Sequence, residues 1–146
     1  MGRYPSAGKL QTSGMAGISM GGAVTLLASA CESTVKAGVA FVPALDYEHL
    51  EAPALTKKLG RAELDRFRKL DPLYAIKKAP RAALFIQVGG RDTVTGTAGA
   101  RKLDARLSCF YDDDPSRYCF KEYPNTGHTV SPSMMDDAVA WFIGHI

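Results

Sequence analysis

Short apolar runs alternate along the chain with stretches in which apolar residues recur at helical spacing. The apolar runs predict strands at 13–16, 35–42, 82–88 and 118–123, and the intervening spacing predicts helices at 22–30, 61–70, 95–107 and 132–144. Nearly continuous apolar strands are typical of parallel sheets whose two faces are both covered. The alternating order predicts an α/β fold, a short, mostly parallel sheet with right-handed crossovers and flanking helices. The helix at 22–30 is apolar on nearly every face, so we expect it to be buried.

The segment 44–80 departs from this alternation because it is polar and mixed, with Pro53 interrupting any helix near its start. Within it, Leu64, Phe67 and Leu70 recur every third position among charges, which predicts a surface helix with one apolar face. The segment is long for a simple crossover. We expect one domain over 1–146, in which 44–80 forms a lid or a pocket wall.

The composition is that of an ordinary globular domain and excludes several classes of function. The chain has 146 residues, of which 46% are hydrophobic and 23% charged. The net charge of +3 is small, and the basic residues are dispersed, so we expect no nucleic-acid partner. No apolar run is long enough to cross a bilayer and no signal peptide is recognisable, so we expect no membrane partner and a cytoplasmic location.

Cysteine and carboxylate spacing give no sign of a metal site or a disulfide framework. Cys31, Cys109 and Cys119 form no Cys-x-x-Cys pair, and we expect them to be reduced. The acidic run 112–114 lacks the glycine and the distal glutamate of a calcium loop, which favours a solvated turn. The sequence therefore predicts neither a metal nor an organic cofactor.

A Gly-x-Ser-x-Gly motif, Gly17 to Gly21, lies between the first predicted strand and the first predicted helix. A strand, this turn and a helix together describe a nucleophile elbow, in which a strained backbone projects the serine hydroxyl. We expect a side chain at Gly17 or at Gly21 to collide where strand and helix approach. The amide of Met20 lies at the helix N-terminus and would face a developing oxyanion.

Three chemically complementary residues follow predicted strands: Ser19, Asp92 and His128. In a parallel sheet, functional groups gather beyond the carboxyl ends of the strands. A serine hydroxyl needs a base, an imidazole can take and return its proton, and a carboxylate can orient that imidazole. The chain order Ser, Asp, His favours a catalytic triad.

The residues of the predicted triad also have non-catalytic interpretations. Asp92 could cap the following helix, and His128 could be an ordinary loop histidine. Asp46, just beyond the second strand, is the alternative acid. The rival histidines are weaker candidates, because His49 lies in the mid-chain segment and His145 in the terminal turn.

At these residues the sequence resembles the α/β-hydrolase superfamily, most of all its dienelactone-hydrolase and prolyl-oligopeptidase-like esterase branch. The resemblance rests on 17–22, 84–94 and 125–130, with weaker support from 36–43 and 71–76. It implies Ser19 as the nucleophile, Asp92 as the acid, His128 as the base and the Met20 amide as one oxyanion donor. It also covers only the carboxyl-terminal half of such a domain, since family members have several strands before the elbow.

This difference from the family has two implied consequences. The second oxyanion donor comes from a loop in the amino-terminal half, so the oxyanion hole here is expected to be incomplete. The strand before Ser19 would be an exposed edge, and apolar edges invite pairing with another chain. We therefore expect a homo-oligomer, a dimer or higher, with these strands paired across a two-fold axis.

The predicted function is that of a serine hydrolase, carboxylesterase-like, which cleaves small-molecule esters of small to medium acyl groups through an acyl-enzyme. Two alternatives stay open. The same triad could serve a serine peptidase or amidase, since only the pocket shape would separate the two. The chain could also be a non-catalytic hydrolase-like remnant that binds a partner or its own copy.

Overall fold

The computed structural model describes residues 13–49 and 60–146. In these ranges the chain forms a four-stranded sheet in the order β1-β2-β3-β4, and every neighbouring pair is parallel. The strands are β1 (Ser13–Ile18), β2 (Val35–Phe41), β3 (Ala83–Gly89) and β4 (Tyr118–Tyr123). The predicted α/β class and the mostly parallel sheet are therefore confirmed.

Helices flank the sheet on both faces. They are α1 (Met20–Cys31), α2 (Arg61–Leu70), α3 (Pro72–Ala75), α4 (Ala98–Leu107) and α5 (Pro132–His145). The core on one face joins α1, α3 and α4 to the sheet through residues such as Leu26, Leu73 and Leu103. A second core lies on the opposite face, where Met134 and Ala138 of α5 pack on β2 and β3.

Two elements differ from the prediction for identifiable reasons. Helix α4 begins at Ala98 rather than 95, because the Asp92 carboxylate accepts hydrogen bonds from the amides of Val94 and Thr95. Helix α1 is not buried on all sides: Met20 is 46% exposed and Val24 is 51% exposed. The predicted burial of α1 is therefore wrong for its outer face among the described residues.

The segment 44–80 is described in part. A short 3₁₀ turn covers Tyr47–His49, and α2 has the predicted amphipathic spacing. Asp71 follows α2 and caps the start of α3, because its side chain accepts a hydrogen bond from the amide of Leu73. Pro53 and its neighbours from 50 to 59 lie outside the described residues. In the described ranges, no helix combines the length and the apolar character needed to cross a membrane.

Candidate active site

Ser19 occupies a sharp turn between β1 and α1. Its backbone angles are φ 57° and ψ −117°, a left-handed conformation that a residue with a side chain adopts only under strain. The amide of Ser19 donates to the Phe41 carbonyl oxygen at 2.9 Å, and its carbonyl accepts from the amides of Ala23 and Ala44. Surrounding backbone bonds therefore hold the strained turn in place, as the strand-turn-helix prediction requires.

The two glycines of the motif play different roles. An added Cβ at Gly17 would lie 2.7 Å from the Thr25 hydroxyl oxygen and nearer still to the carbonyl of Gly21, so no side chain fits there. An added Cβ at Gly21 would meet no described atom within 4 Å. The expected collision at Gly21 is therefore wrong for the described structure. The tight second position is Gly22, whose added Cβ would lie 3.1 Å from the Phe41 carbonyl oxygen.

Met20 is the first residue of α1. The first amides of a helix have no acceptor within the helix, and the helix dipole places partial positive charge at this end. The Met20 amide therefore has the position expected of a donor to an anionic oxygen beside Ser19.

Asp92 and His128 form a hydrogen-bonded pair. His128 Nδ1 lies 2.8 Å from Asp92 Oδ2, with 1% of the Asp92 side chain and 23% of the His128 side chain exposed. Since the carboxylate can hold the proton on Nδ1, the opposite ring nitrogen, Nε2, can act as a base. This arrangement fits a general base whose tautomer is fixed by a buried acid.

Two loops hold this pair in position. The loop after β3 carries Asp92 and the loop after β4 carries His128. The amide of Gly90 donates to the Tyr123 carbonyl at 2.9 Å, and the amide of Arg91 donates to the Thr126 carbonyl at 2.9 Å. An added Cβ at Gly89 would lie 2.5 Å from the Thr126 carbonyl oxygen, so the loops approach as closely as they do only because residue 89 has no side chain.

Asp92 also organises its own loop. Its Oδ1 accepts from the amides of Val94 and Thr95, and its Oδ2 accepts from the Thr95 hydroxyl at 2.8 Å. Burial alone would raise the pKa of Asp92, but the hydrogen bonds from His128, Val94 and Thr95 outweigh it and hold that pKa below its ordinary value. The carboxylate is therefore ionised at neutral pH. Thr95 was not a candidate in the sequence, because a threonine three residues after an aspartate is common in loops.

Ser19 lies on the same edge of the sheet as this pair, since all three residues follow the carboxyl ends of parallel strands. The Thr95 hydroxyl links the Asp92 loop to the segment after β2, because it also lies 3.4 Å from the Val42 carbonyl oxygen. In the described ranges, the Ser19 hydroxyl makes no hydrogen bond with His128. Catalytic hydrogen bonds are often long in structures without substrate.

Asp46 forms a second Asp–His pair. Its Oδ1 lies 2.8 Å from His49 Nδ1 and accepts from the Tyr74 hydroxyl at 3.3 Å, while its Oδ2 accepts from Lys102. Burial would raise the pKa of Asp46, but the bonds from His49 and Lys102 lower it below the ordinary value. In the described structure, the alternative acid is therefore bound to a different histidine and has no hydrogen bond to His128. This pair is invisible in the sequence, because the 3₁₀ turn that brings His49 back has no clear signal.

The remaining candidates lie elsewhere. His145 Nδ1 lies 2.8 Å from the Trp141 carbonyl oxygen and its Nε2 lies 3.0 Å from that of Ser116, so this histidine joins the end of α5 to the turn before β4. Cys31, Cys109 and Cys119 are free thiols. Over 13–49 and 60–146, no group of three or more His, Cys, Asp or Glu residues could hold a metal ion.

Comparisons with known proteins find several esterases that are similar to this chain in sequence or in fold. No family profile matches the chain. It is 25% identical over 141 residues to the protein named "Putative esterase YitV" of Bacillus subtilis (strain 168), covering 88% of this chain and 55% of that protein. Acetyl xylan esterase 1 from Thermoanaerobacterium sp. superposes with a TM-score of 0.65 at 20% identity, over 93% of this chain and 46% of that one.

A peptidase is also similar in fold. Dipeptidyl peptidase 4 of Porphyromonas gingivalis superposes with a TM-score of 0.75 at 16% identity, over 91% of this chain and 19% of that one. The resemblance to the α/β-hydrolase superfamily is thus confirmed at the level of the fold: the chain has an α/β-hydrolase fold. It spans about half the length of the esterases that it matches.

Proposed function

We propose that this chain carries the catalytic residues of a serine esterase that cleaves small-molecule carboxylic esters. The observation that carries the proposal is the buried Asp92 bound to His128 Nδ1 at 2.8 Å, on the same sheet edge as the strained Ser19 turn. Similarity to esterases supports a hydrolytic function for such a site. A single domain over 1–146, in which the segment 44–80 forms a lid or a pocket wall, is part of the same proposal.

The proposed reaction uses the chain's own groups. The Ser19 oxygen attacks the ester carbonyl carbon while His128 Nε2 takes the hydroxyl proton, giving a tetrahedral intermediate. The Met20 amide donates to the oxyanion. The carbon–oxygen bond to the leaving group then breaks, and the His128 proton goes to the departing alkoxide.

Water completes the cycle. It attacks the acyl-enzyme carbonyl and gives its proton to His128 Nε2, which returns that proton to Ser19 as the acid leaves. Throughout, Asp92 stabilises the imidazolium without taking the proton. The acyl groups are proposed to be small to medium in size, and the protein is proposed to work as a homo-oligomer.

Amide or peptide cleavage is the second candidate. The observation that favours it is the similarity in fold to a dipeptidyl peptidase. This similarity extends over about one fifth of that protein's length. The proposed residues would serve either bond. A p-nitrophenyl ester series of increasing acyl length, run beside the matching p-nitroanilides, separates the two activities.

Covalent labelling tests the proposed nucleophile. A fluorophosphonate probe should attach to Ser19, as located by peptide mass mapping, and the adduct should be absent in Ser19→Ala. The His128→Ala variant should label about 10³-fold or more slowly because the base is gone. The matched control is His49→Ala, which removes the other histidine bonded to a buried aspartate and should label at the parental rate.

Three outcomes contradict the proposal. A folded protein that takes up no probe would leave the non-catalytic binding module as the better description. Labelling at another serine would remove Ser19 from its role. Equal losses in His49→Ala and His128→Ala would show that neither histidine is the specific base.

A further inference from the structure

The Asp92 carboxylate has a hydrogen-bond partner at each of its four bonding sites. The amides of Val94 and Thr95 donate to Oδ1 at 2.8 and 3.0 Å. His128 Nδ1 and the Thr95 hydroxyl oxygen each lie 2.8 Å from Oδ2. An ionised carboxylate offers about four lone-pair directions, so this carboxylate is fully occupied. Because 1% of the Asp92 side chain is exposed, water has little access to replace a partner that is lost.

The Thr95 hydroxyl is not needed to close the loop that follows β3. An aspartate that accepts hydrogen bonds from amides just ahead of it forms a turn through one of its oxygens. The amides of Val94 and Thr95 supply that turn at Oδ1. The Thr95 hydroxyl instead bonds Oδ2, which is the oxygen that contacts His128. Its position indicates a role in the Asp92–His128 pair.

The hydroxyl of Thr95 has one proton and two acceptors within reach. Asp92 Oδ2 lies at 2.8 Å and the Val42 carbonyl oxygen at 3.4 Å. The carboxylate is both the nearer and the stronger acceptor, so the proton points to Asp92. The positive end of the hydroxyl dipole is therefore fixed at the oxygen that faces His128. Thr95 is 6% exposed, so this bond is shielded from solvent.

The same hydroxyl lies against the segment that holds Ser19. The carbonyl of Phe41 accepts from the Ser19 amide at 2.9 Å, and the amide of Ala44 donates to the Ser19 carbonyl at 3.0 Å. Val42 lies between these two residues in the chain, and its carbonyl faces Thr95. The loop of the proposed acid and the support of the proposed nucleophile therefore meet at Thr95.

We infer that Thr95 is a positioning residue for the proposed esterase and acts through Asp92. Its hydroxyl fills the second bonding site of Oδ2, directs the remaining site to His128 Nδ1, and limits how strongly this oxygen holds a proton on the imidazole. The inference rests on the proposed function for its role in catalysis. The bonds that carry it are those of Asp92 to Thr95 and to His128.

The direction of the effect follows from the charge on Oδ2. A base must be neutral to accept the Ser19 proton, and a negative charge nearby favours the protonated imidazole. The Thr95 hydroxyl stabilises part of that charge, which weakens its attraction for an imidazolium. Without the hydroxyl, the buried carboxylate would have one donor fewer and would depend more on a protonated His128. A variant that lacks the hydroxyl should therefore keep this proton to a higher pH.

Other charged groups lie on the elements around the pair, and the Thr95 variants leave them unchanged. Among the described residues they include Arg91 in the Asp92 loop, the Arg101–Glu122 pair of α4 and β4, the Lys121–Asp137 pair of β4 and α5, and Asp46 with His49 and Lys102. Because these groups are the same in the parent and in every variant, a difference between variants reports the hydroxyl.

NMR titration of the histidines tests this step without catalysis. The imidazole Cε1–Hε1 signals are followed from about pH 5 to about pH 9, and the His128 signal is the one absent in His128→Gln. Thr95→Val removes the hydroxyl and keeps the branched side chain. It should raise the titration midpoint of His128 by about 0.5 pH unit. Thr95→Ser restores the hydroxyl and should return the parental midpoint.

The matched control lies in the same loop. Thr97 immediately precedes α4, and its side chain makes no capping hydrogen bond. Thr97→Val should therefore leave the His128 midpoint unchanged. Circular dichroism checks that each variant folds. Thr95→Ala removes the same hydroxyl with a smaller side chain, should shift the midpoint in the same direction, and gives the result if Thr95→Val does not fold.

The pH dependence of covalent labelling gives a second readout. The rate at which a fluorophosphonate attaches to Ser19 should rise with pH through a midpoint that is higher in Thr95→Val and parental in Thr95→Ser. A purely structural role for Thr95 would lower the rate at every pH and leave the midpoint in place. The two roles are therefore separated by the position of the profile.

The outcomes separate this inference from the proposed function. An unchanged or lower His128 midpoint in Thr95→Val would overturn the role of Thr95, and so would an equal shift in Thr95→Ser. A parental protein whose Ser19 takes up no probe would overturn the esterase, while the NMR midpoints would still decide the role of the hydroxyl. A labelled parent whose midpoints do not respond to Thr95 would keep the esterase and remove Thr95 from it.

Discussion

The two sides of the sheet differ in how fully the described chain surrounds them. On the β3–β4 side, every residue of β3 is buried and the loops carrying Asp92 and His128 are hydrogen-bonded to each other. On the β1–α1 side, alternate residues of β1 are exposed and the outer face of α1 has no charge. The comparison teaches that the proposed acid and base are positioned by this chain alone. Among the described residues, the surroundings of Ser19 are open on one side.

The polar contacts follow the same division. Arg101 of α4 bonds Glu122 of β4 at 2.6 Å, so a charged pair links the surfaces of these two elements. Around Ser19 the fixed contacts are backbone bonds to Phe41, Ala23 and Ala44. Changes on the β3–β4 side should therefore act through side-chain contacts, and changes near Ser19 through backbone geometry.

The largest expected effect is on the proposed chemistry. Asp92→Asn should slow fluorophosphonate labelling of Ser19 by about 10⁴-fold, because the amide would favour the His128 tautomer with its proton on Nε2. The matched variant Asp46→Asn changes the other buried aspartate and should slow labelling by less than about tenfold. Equal slowing would contradict the assignment of Asp92 as the acid.

The next largest effect is a difference in stability between substitutions on the two sides of the sheet. Leu103→Ala, in the fully buried core of α4, should lower the free energy of unfolding by about 2–5 kcal/mol. Val24→Ala on the outer face of α1 should change it by less than about 0.5 kcal/mol, since Val24 loses little burial. Urea denaturation measures both. A large loss at Val24→Ala would mean that this side chain is buried in the folded protein.

Glycine substitutions should give a smaller contrast within the elbow itself. Gly17→Ala should cost about 1–3 kcal/mol, because its Cβ would clash with Thr25 and Gly21. Gly21→Ala should be neutral or stabilise by up to about 1 kcal/mol, because alanine favours the helix and has open space. Thermal unfolding compares the two, and a similar loss for both would restore the original expectation about Gly21.

The smallest expected effect is the loss of stability at low pH. The folded-state pKa values of Asp92 and Asp46 both lie below the ordinary value, so each contributes stability that is complete above about pH 4 and is lost as the pH falls further. Unfolding free energies between pH 2.5 and 6 should fall less steeply in Asp92→Asn than in the parent. An unchanged slope would show that the pKa of Asp92 is the same in the folded and the unfolded protein.

Most of the fold could be predicted because its signals are local. The apolar run at 82–88 and the one-sided spacing at 61–70 correspond to β3 and α2 within a residue. The α1 prediction failed on its outer face because apolar periodicity does not reveal which neighbours are present. The 3₁₀ turns at Tyr47–His49 and Ser108–Tyr111 carry no strong sequence pattern.

The candidate site could be predicted only in outline. Strand-end positions named Asp92 and His128, which the structure brings together, whereas the triad with Ser19 stays a prediction. The bond from Thr95 to Asp92 and the Asp46–His49 pair could not be predicted, since both depend on loop conformation. The tight approach at Gly22 was missed because the motif directs attention to Gly21.

In the part of the chain that the structure describes, three residues with side chains have positive φ: Ser19 at 57°, Val42 at 39° and Asp46 at 55°, all beyond the ends of β1 and β2. Each such residue costs about 1–3 kcal/mol. Val42 is buried in the core and Asp46 is held by several hydrogen bonds, so glycine at either position would lose more than the relieved strain returns. A directed-evolution screen for heat resistance would therefore gain most readily at Ser19, with glycine as the favoured replacement. The most heat-resistant variants would then include ones that have lost the Ser19 hydroxyl, because glycine relieves the backbone strain at that position.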